Sequence, residues 1–336
     1  MQVFYVNIGA GEPTVRQDFW ELVDYGTAHH VGVKFSTNGV RITPEVAARL
    51  AASDSVDVQI SLDGATAEVN DAVRGPGSFA IAIRALENLA AAGFSDAKIS
   101  VVTRHNVDQL DEFAALAARY GATLRITRLR PSGRGVDVWD ELHPTASQQV
   151  QLYDWLVERG DRVLTGDSFF HLSGLGEPGA LVGLNLCGAG RVVCLIDPVG
   201  DVYACPFAIH ERFLAGNVIS DGGFDNVWKN APLFVELREP QSAGACGSCG
   251  HYDSCRGGCM AAKFFTGLPL DGPDPECVEG YGVPALEQAR VKPKPSGDHS
   301  RGTKQGPIPL TLMPTPLRLN VAAGAAPSRL CNESPV

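Results

Sequence analysis

The chain has 336 residues, 44% of them hydrophobic, and a formal net charge of -10. That length supports one large domain with a sizeable core and a second, smaller one. The acidic balance, with no clustered Lys and Arg tract, excludes a phosphate-binding surface and so a nucleic-acid partner, and no apolar run is long enough for a membrane span.

The elements alternate from the start. Residues 3–8 (VFYVNI) read as a buried strand, and apolar Phe19, Leu22, Val23 and Tyr25 near one face predict a helix over about 16–30. Strand-like runs follow at about 32–36, 56–62, 98–103 and 123–129, and helical patterns at about 44–53, 79–92, 108–120 and 146–163. Alternation of this kind makes parallel βα units. Five strands are too few for a closed eight-strand barrel and predict an open sheet or a partial barrel. Ligands meet such sheets at the loops that follow the strands. Here those loops are Gly9-Ala10-Gly11-Glu12-Pro13, Ser36-Thr37-Asn38-Gly39 and Ser61-Leu62-Asp63-Gly64. Ser61 and Asp63 alternate with Leu62 and so share one face, where an acidic side chain can hold hydroxyls. Arg74 follows in Asp-Ala-Val-Arg-Gly. Asn106 is either a further site residue or a cap for the helix starting near Asp108. Pro131-Ser132-Gly133-Arg134-Gly135 reads as a turn. His29 and His30 point about 100° apart on a helix, so they read as a helix end rather than a metal site.

The pattern changes after about residue 165. Residues 166–290 are rich in Gly, Pro and Cys and read as a second domain, after a first domain at 1–165. Residues 291–336 are proline-rich and aperiodic and read as a mostly disordered tail, with Cys331 a free thiol in it. Of nine cysteines, eight lie between Cys187 and Cys277. The N-terminus has no charged n-region or cleavage site, which points to the cytoplasm, where clustered cysteines bind metal rather than form disulfides. The strongest run is Cys246-x2-Cys249-x5-Cys255-x3-Cys259, with Cys277 after it and Cys187, Cys194, Gly200 and Cys205 before it. Glycines such as Gly247, Gly250, Gly257 and Gly258 let backbone amides approach a bound centre. Two structural zinc sites of four thiolates each and two iron–sulfur clusters both fit eight cysteines.

The order Cys-x12-Gly-x4-Cys, Cys-x2-Cys-x5-Cys-x3-Cys and a last Cys resembles the SPASM domain of radical S-adenosylmethionine (SAM) enzymes that act on peptides. The resemblance implies two auxiliary [4Fe-4S] clusters with interleaved ligands: Cys187, Cys194, Cys205 and Cys259 for the first, and Cys246, Cys249, Cys255 and Cys277 for the second. The first strand-end loop resembles the GGEP motif, with Ala10 where the family has its first Gly. The resemblance implies a SAM site of Gly11, Glu12, Ser36, Asn38, Ser61, Asp63 and Arg74, with Glu12 in the loop that receives the SAM amino group and Arg74 meeting its carboxylate. The PSGRG turn is similar to a PxGRG segment at the barrel edge of related maturases, and Arg130 and Arg134 there can attract a peptide carboxylate.

No cysteine precedes Cys187, so the Cys-x3-Cys-x2-Cys loop of the SAM-binding cluster is not in the sequence. The GGEP-like turn, which in the family follows the second strand, here follows the first. The expected fold class is therefore α/β: a partial (β/α)6 radical SAM barrel lacking its first βα unit, plus a small Cys-rich SPASM domain. As it stands, such a chain is expected not to cleave SAM. The stretches VFYVNIGAGEPTVRQDFWEL, VGVKFSTNGVRI, SVDVQISLDGA, RLRPSGRGVDVW and LDGPDPECVEGYG extend the resemblance to mycofactocin-type maturases over nearly the whole chain. That resemblance implies oxidative decarboxylation of the C-terminal tyrosine of a small precursor peptide, then a carbon–carbon bond to the preceding valine. It also implies a small peptide-binding chaperone and an external electron donor as partners. Two other readings stay open: a sulfatase-activating or quinone-cofactor-forming maturase of the same class, and a zinc-stapled binding module without catalysis.

Overall fold

Apolar residues at every second position make a strand, and the same residues at three- and four-residue spacing make a helix. In the computed structural model this period switches back and forth through the first half of the chain. The structure describes residues 2–9, 11–94, 98–133, 135–165, 169–176, 187–239, 243–289 and 292–293. Ala10, Arg134, Cys331 and all of the 291–336 tail except 292–293 lie outside the described residues. Strands β1 (Tyr5–Ile8), β2 (Gly32–Thr37), β3 (Val56–Ile60), β4 (Lys98–Val102) and β5 (Thr123–Arg128) form one sheet in the order β1-β2-β3-β4-β5. Every neighbouring pair is parallel. All five strands therefore end on the same edge, which gathers loops that are far apart in the sequence.

The helices between these strands are α1 (Phe19–Ala28), α2 (Pro44–Ala51), α3 (Ala67–Arg74), α4 (Ser78–Ala91) and α5 (Leu110–Arg119), and α6 (Gly135–Leu142) and α7 (Ala146–Arg159) follow β5. Thr43 and Thr66 cap α2 and α3 through their hydroxyls, and Thr145 with Gln148 forms a capping box on α7. The core is built from one stripe per helix, such as Ala82, Ala85, Leu86 and Leu89 of α4 and Leu110, Phe113 and Ala117 of α5. Each fully buried Phe or Leu of this kind contributes about 1.5–3 kcal/mol.

Three expectations need correcting. The strand expected to be buried at 3–8 is exposed: Phe4 is 67% and Tyr5 51% accessible. The cause is its place at the sheet edge, with β2 on one side only. The first helix begins at Phe19, after a 3-10 turn at Pro13–Val15, and Tyr25 faces out while Phe19 and Val23 are buried. Helices α3 and α6 were not anticipated. Each buries a single residue, Asn70 and Trp139 respectively.

The second half of the chain has a small antiparallel sheet of β6 (Leu195–Ile196), β7 (Asp201–Tyr203) and β8 (Leu214–Asn217). Short helices follow: α8 (Phe224–Asn230), α9 (Pro232–Arg238), α10 (Tyr252–Cys255), α11 (Met260–Phe265) and α12 (Gly282–Gln288). Phe213, Val227, Phe234 and Phe265 make a separate, smaller core there. Residues Met1–Gly297 nevertheless form one compact unit. Among the described residues, no helix is long and apolar enough to cross a membrane.

One buried ion network joins the halves. Arg128, at the end of β5, grips Asp274 with Nη1 to Oδ2 at 2.9 Å and Nη2 to Oδ1 at 2.5 Å, and donates from Nε to Glu276. Gln149 of α7 donates to the other oxygen of Glu276 at 2.6 Å and lies 3.0 Å from His171 Nε2. One cation cannot balance two carboxylates. Burial works against Asp274, yet the bidentate guanidinium holds it well below the usual carboxylate range. Burial instead lifts Glu276 to about 7, against the same arginine.

Breaking a buried pair costs far more than the pair contributes, because the partner is left charged and dry. Arg128→Met is therefore expected to cost about 3–5 kcal/mol, read as a lower unfolding temperature. Arg125→Met, at a half-buried position on the same strand, is expected to lower it much less, and equal effects would refute the assignment.

Candidate functional site

The loop after β1 is shaped by Glu12. Its Oε1 accepts from Thr14 N at 3.2 Å and from Thr37 Oγ1 at 2.7 Å, and its Oε2 accepts from Asn38 N at 2.7 Å. The carboxylate thus ties the first strand-end loop to the second. Gly11 sits in the turn at φ 55, a left-handed conformation that favours glycine. Thr37 is buried and was missed in the sequence. Its signal was available, since alternation along β2 puts it on the buried face with Val33 and Phe35. Ser36 is half-buried and Asn38 exposed, its Oδ1 accepting from Val40 N.

Asp63 is the centre of the third loop. It is 8% exposed, and burial raises its carboxyl while Arg74 opposes the shift. Arg74 Nε lies 2.8 Å from Asp63 Oδ2, so two predicted site residues meet each other directly. Asp63 Oδ1 is buried with no hydrogen-bond partner, an acceptor waiting for a donor. The backbone around it is pinned from both sides: Asn70 Oδ1 accepts from Asp63 N at 2.8 Å, and Asn106 Nδ2 donates to Asp63 O at 2.9 Å. Asn106 makes no helix cap bond; it bridges two strand ends. Gly64 is required because a Cβ there would overlap the backbone of Asn70. Ser61, half-buried, donates its backbone N–H to Thr37 O.

The eight described cysteines fall into two groups. Cys205 and Cys259 are buried in the second core, and Cys187 and Cys194 pack against it. Cys246, Cys249, Cys255 and Cys277 instead line one small cavity, partly open to solvent, with His171, Gly257 and Asp274. Burial pushes the Cys194 thiol to about 11 and Cys205 higher still, and it raises Cys246, Cys255 and Cys277 as well. Cys187 and Cys259 add to the rise at Cys205. Thiols that resist ionisation in the bare protein are ones a metal centre must deprotonate on binding. A single zinc ion would draw four sulfurs to about 2.3 Å from one point. Four thiols lining one cavity are equally the donor set of a [4Fe-4S] cluster.

The buried network reaches these groups. Asp274 Oδ2 accepts from the backbone N–H of Cys259 at 2.8 Å. Gly258, at φ 79, makes room for it, since a Cβ there would overlap the Asp274 carboxylate. Arg130 is 6% exposed with its guanidinium 4.1 Å from the Phe207 ring centre, two residues past Cys205. Its partner in the turn, Arg134, lies outside the described residues.

Residues 1–117 match the radical SAM superfamily, and residues 187–250 match an iron–sulfur cluster-binding domain, SPASM. The chain is 83% identical over its whole length to the mycofactocin maturase MftC of Mycolicibacterium smegmatis, covering 83% of that protein. It is 78% identical, again over its whole length, to the mycofactocin maturase MftC of Mycobacterium tuberculosis, covering 84% of it. The crystal structure of Streptococcus suis SuiB bound to its precursor peptide SuiA shares the fold, with a TM-score of 0.63 at 18% identity over 81% of this chain and 65% of that one. Both domains belong to enzymes that bind SAM and [4Fe-4S] clusters. The chain therefore belongs to the mycofactocin maturases, radical SAM enzymes that carry an iron–sulfur SPASM domain.

Proposed function

We propose that this chain binds SAM at its strand ends, holds two [4Fe-4S] clusters in its second half and matures a small peptide. The observation that supports the reading is four thiols lining one cavity, with the other four in or against the second core. Cys187, Cys194, Cys205 and Cys259 hold one cluster, and Cys246, Cys249, Cys255 and Cys277 the other. With four thiolates each, neither cluster keeps an open iron, so both suit electron transfer rather than substrate binding.

When bound, SAM supplies a hydrogen-abstracting 5′-deoxyadenosyl radical and a thiolate-saturated cluster supplies a site for single electrons. No cysteine precedes Cys187, so these residues do not fit a SAM-binding cluster. Such a cluster would need thiolates that this sequence does not supply ahead of Cys187. The residues present do fit SAM itself. The unpartnered Asp63 Oδ1 accepts a ribose hydroxyl. Arg74, held through Nε by Asp63, keeps its other guanidinium N–H groups for the SAM carboxylate. The carboxylate of Glu12 is occupied by Thr14, Thr37 and Asn38, so it fixes the Gly11-Glu12 turn and leaves the SAM amino group to the turn backbone. Ser36, Asn38 and Ser61 complete the rim.

The proposed reaction is oxidative decarboxylation of the C-terminal tyrosine of a small precursor peptide, followed by a carbon–carbon bond to the preceding valine. Support comes from the names of the relatives and from the precursor peptide bound by SuiB. A small chaperone delivers the peptide, an external donor supplies electrons, and the reducing cytoplasm keeps the thiols free.

After anaerobic reconstitution with iron and sulfide the chain is expected to hold about eight irons and eight sulfides. About two zincs without sulfide would overturn the reading. Gly258→Ala, which drives Asp274 off Cys259, is expected to lower iron content relative to Gly250→Ala, where an added Cβ meets nothing. Asp63→Asn is expected to weaken SAM binding by about 1.5–3 kcal/mol, roughly tenfold or more, in a calorimetric titration. Unchanged affinity would remove Asp63 from the site.

A further inference from the structure

Helix α11 follows Cys259 and is almost wholly apolar. Met260, Ala261, Ala262 and Phe265 are buried, and so is Lys263, at 5% exposure. A lysine side chain is long enough to reach water from most positions, but this one turns inward. Its Nζ donates to Leu270 O at 2.5 Å and toward Gly272 O at 3.4 Å. Both are neutral carbonyls in the loop that leads to Cys277. Among the described residues, no carboxylate forms an ion pair with Lys263. Arg128 differs, since Asp274 and Glu276 satisfy its charge. A buried ammonium with only carbonyl partners is costly unless an anion lies near.

The surroundings show where that anion belongs. A Cβ added to Gly257 would lie 3.2 Å from Lys263 Nζ, and Gly257 lines the cavity of Cys246, Cys249, Cys255 and Cys277. The positive charge also acts at Cys246, where it favours the thiolate. The ammonium therefore stands directly behind the wall of that cavity.

We propose that Lys263 is the built-in counter-cation of the cluster held by Cys246, Cys249, Cys255 and Cys277, helping to retain it and raising its reduction potential. The inference rests on the cluster reading given above. Four thiolates make such a centre anionic, and each one-electron reduction adds a further negative charge. A fixed cation in a low-dielectric wall stabilises the reduced form more than the oxidised one, and cluster potentials follow nearby charge and hydrogen bonding. Lys263 is thus a positioning residue for electron transfer and touches no substrate.

The test uses the full chain, reconstituted anaerobically, with potentiometric titration followed by electron paramagnetic resonance. Lys263→Gln keeps N–H donors for Leu270 and Gly272 but removes the charge; Lys263→Arg keeps both. In Lys263→Gln the reduced-to-oxidised ratio of one cluster at fixed potential is expected to fall about tenfold, a shift of about 59 mV for one electron. Lys263→Arg is expected to stay near the parent. Loss of about four irons in Lys263→Gln, with Lys263→Arg intact, would also support the counter-cation role. Unchanged potentials in an iron-replete Lys263→Gln would overturn it, as would equal shifts or equal iron loss in both variants, which would mark a packing role. A parent chain that takes up zinc and no sulfide fails earlier, at the cluster reading itself.

Discussion

The ion network of Arg128, Asp274 and Glu276 is the constraint on which the rest of the molecule depends. Its arginine ends the last strand of the parallel sheet, and its carboxylates precede the last clustered cysteine. The bidentate geometry fixes both distance and angle between sheet and cysteine loop. Because Asp274 also accepts from the backbone of Cys259, the same contact sets the position of a thiol in the other cysteine group. A hydrophobic contact could hold the halves together, but it would not set their orientation so narrowly.

The second half of the chain has a smaller core than the first, with Cys205 and Cys259 in it and Cys187 and Cys194 packed against it. Such a region gains stability from what its thiols bind as well as from packing. Its glycines serve that purpose locally. Arg256, Gly257 and Gly258 run through three successive left-handed conformations, a turn that presses the backbone against Asp274 and leaves Gly257 open to Lys263. Of the buried cations near the cysteines, Arg128 is neutralised by carboxylates, while Lys263 forms no carboxylate ion pair among the described residues. That difference separates a residue that builds the fold from one that acts on what the fold holds.

Elsewhere along the same edge of the sheet the logic is polar. Glu12, Thr37, Asn70 and Asn106 spend their hydrogen bonds on backbone and on one another, so the loops are rigid before any ligand arrives. Against that satisfied background the unpartnered oxygen of Asp63 stands out. Preorganisation of this kind lets a small ligand be held with little ordering cost.

The βα alternation was legible in the sequence because each unit carries its own period, and the cysteine spacing was legible because thiols that share a centre must sit on short turns. The polar loops were visible as motifs, though not the partners they take. Helices α3 and α6 were not read from the sequence; each is eight residues long and buries one residue. The exposure of β1 was illegible: its apolar run looks buried, and only its place at the sheet edge exposes it. Arg128 and Asp274 stand 146 residues apart, and nothing local to either marks the other. Lys263 reads as an ordinary surface lysine until α11 is packed. Local period and spacing are properties of the chain itself, and the sequence determined them alone. Pairing of distant charges, edge position and burial of a single polar side chain exist only after the chain closes on itself, and the tertiary structure decided those.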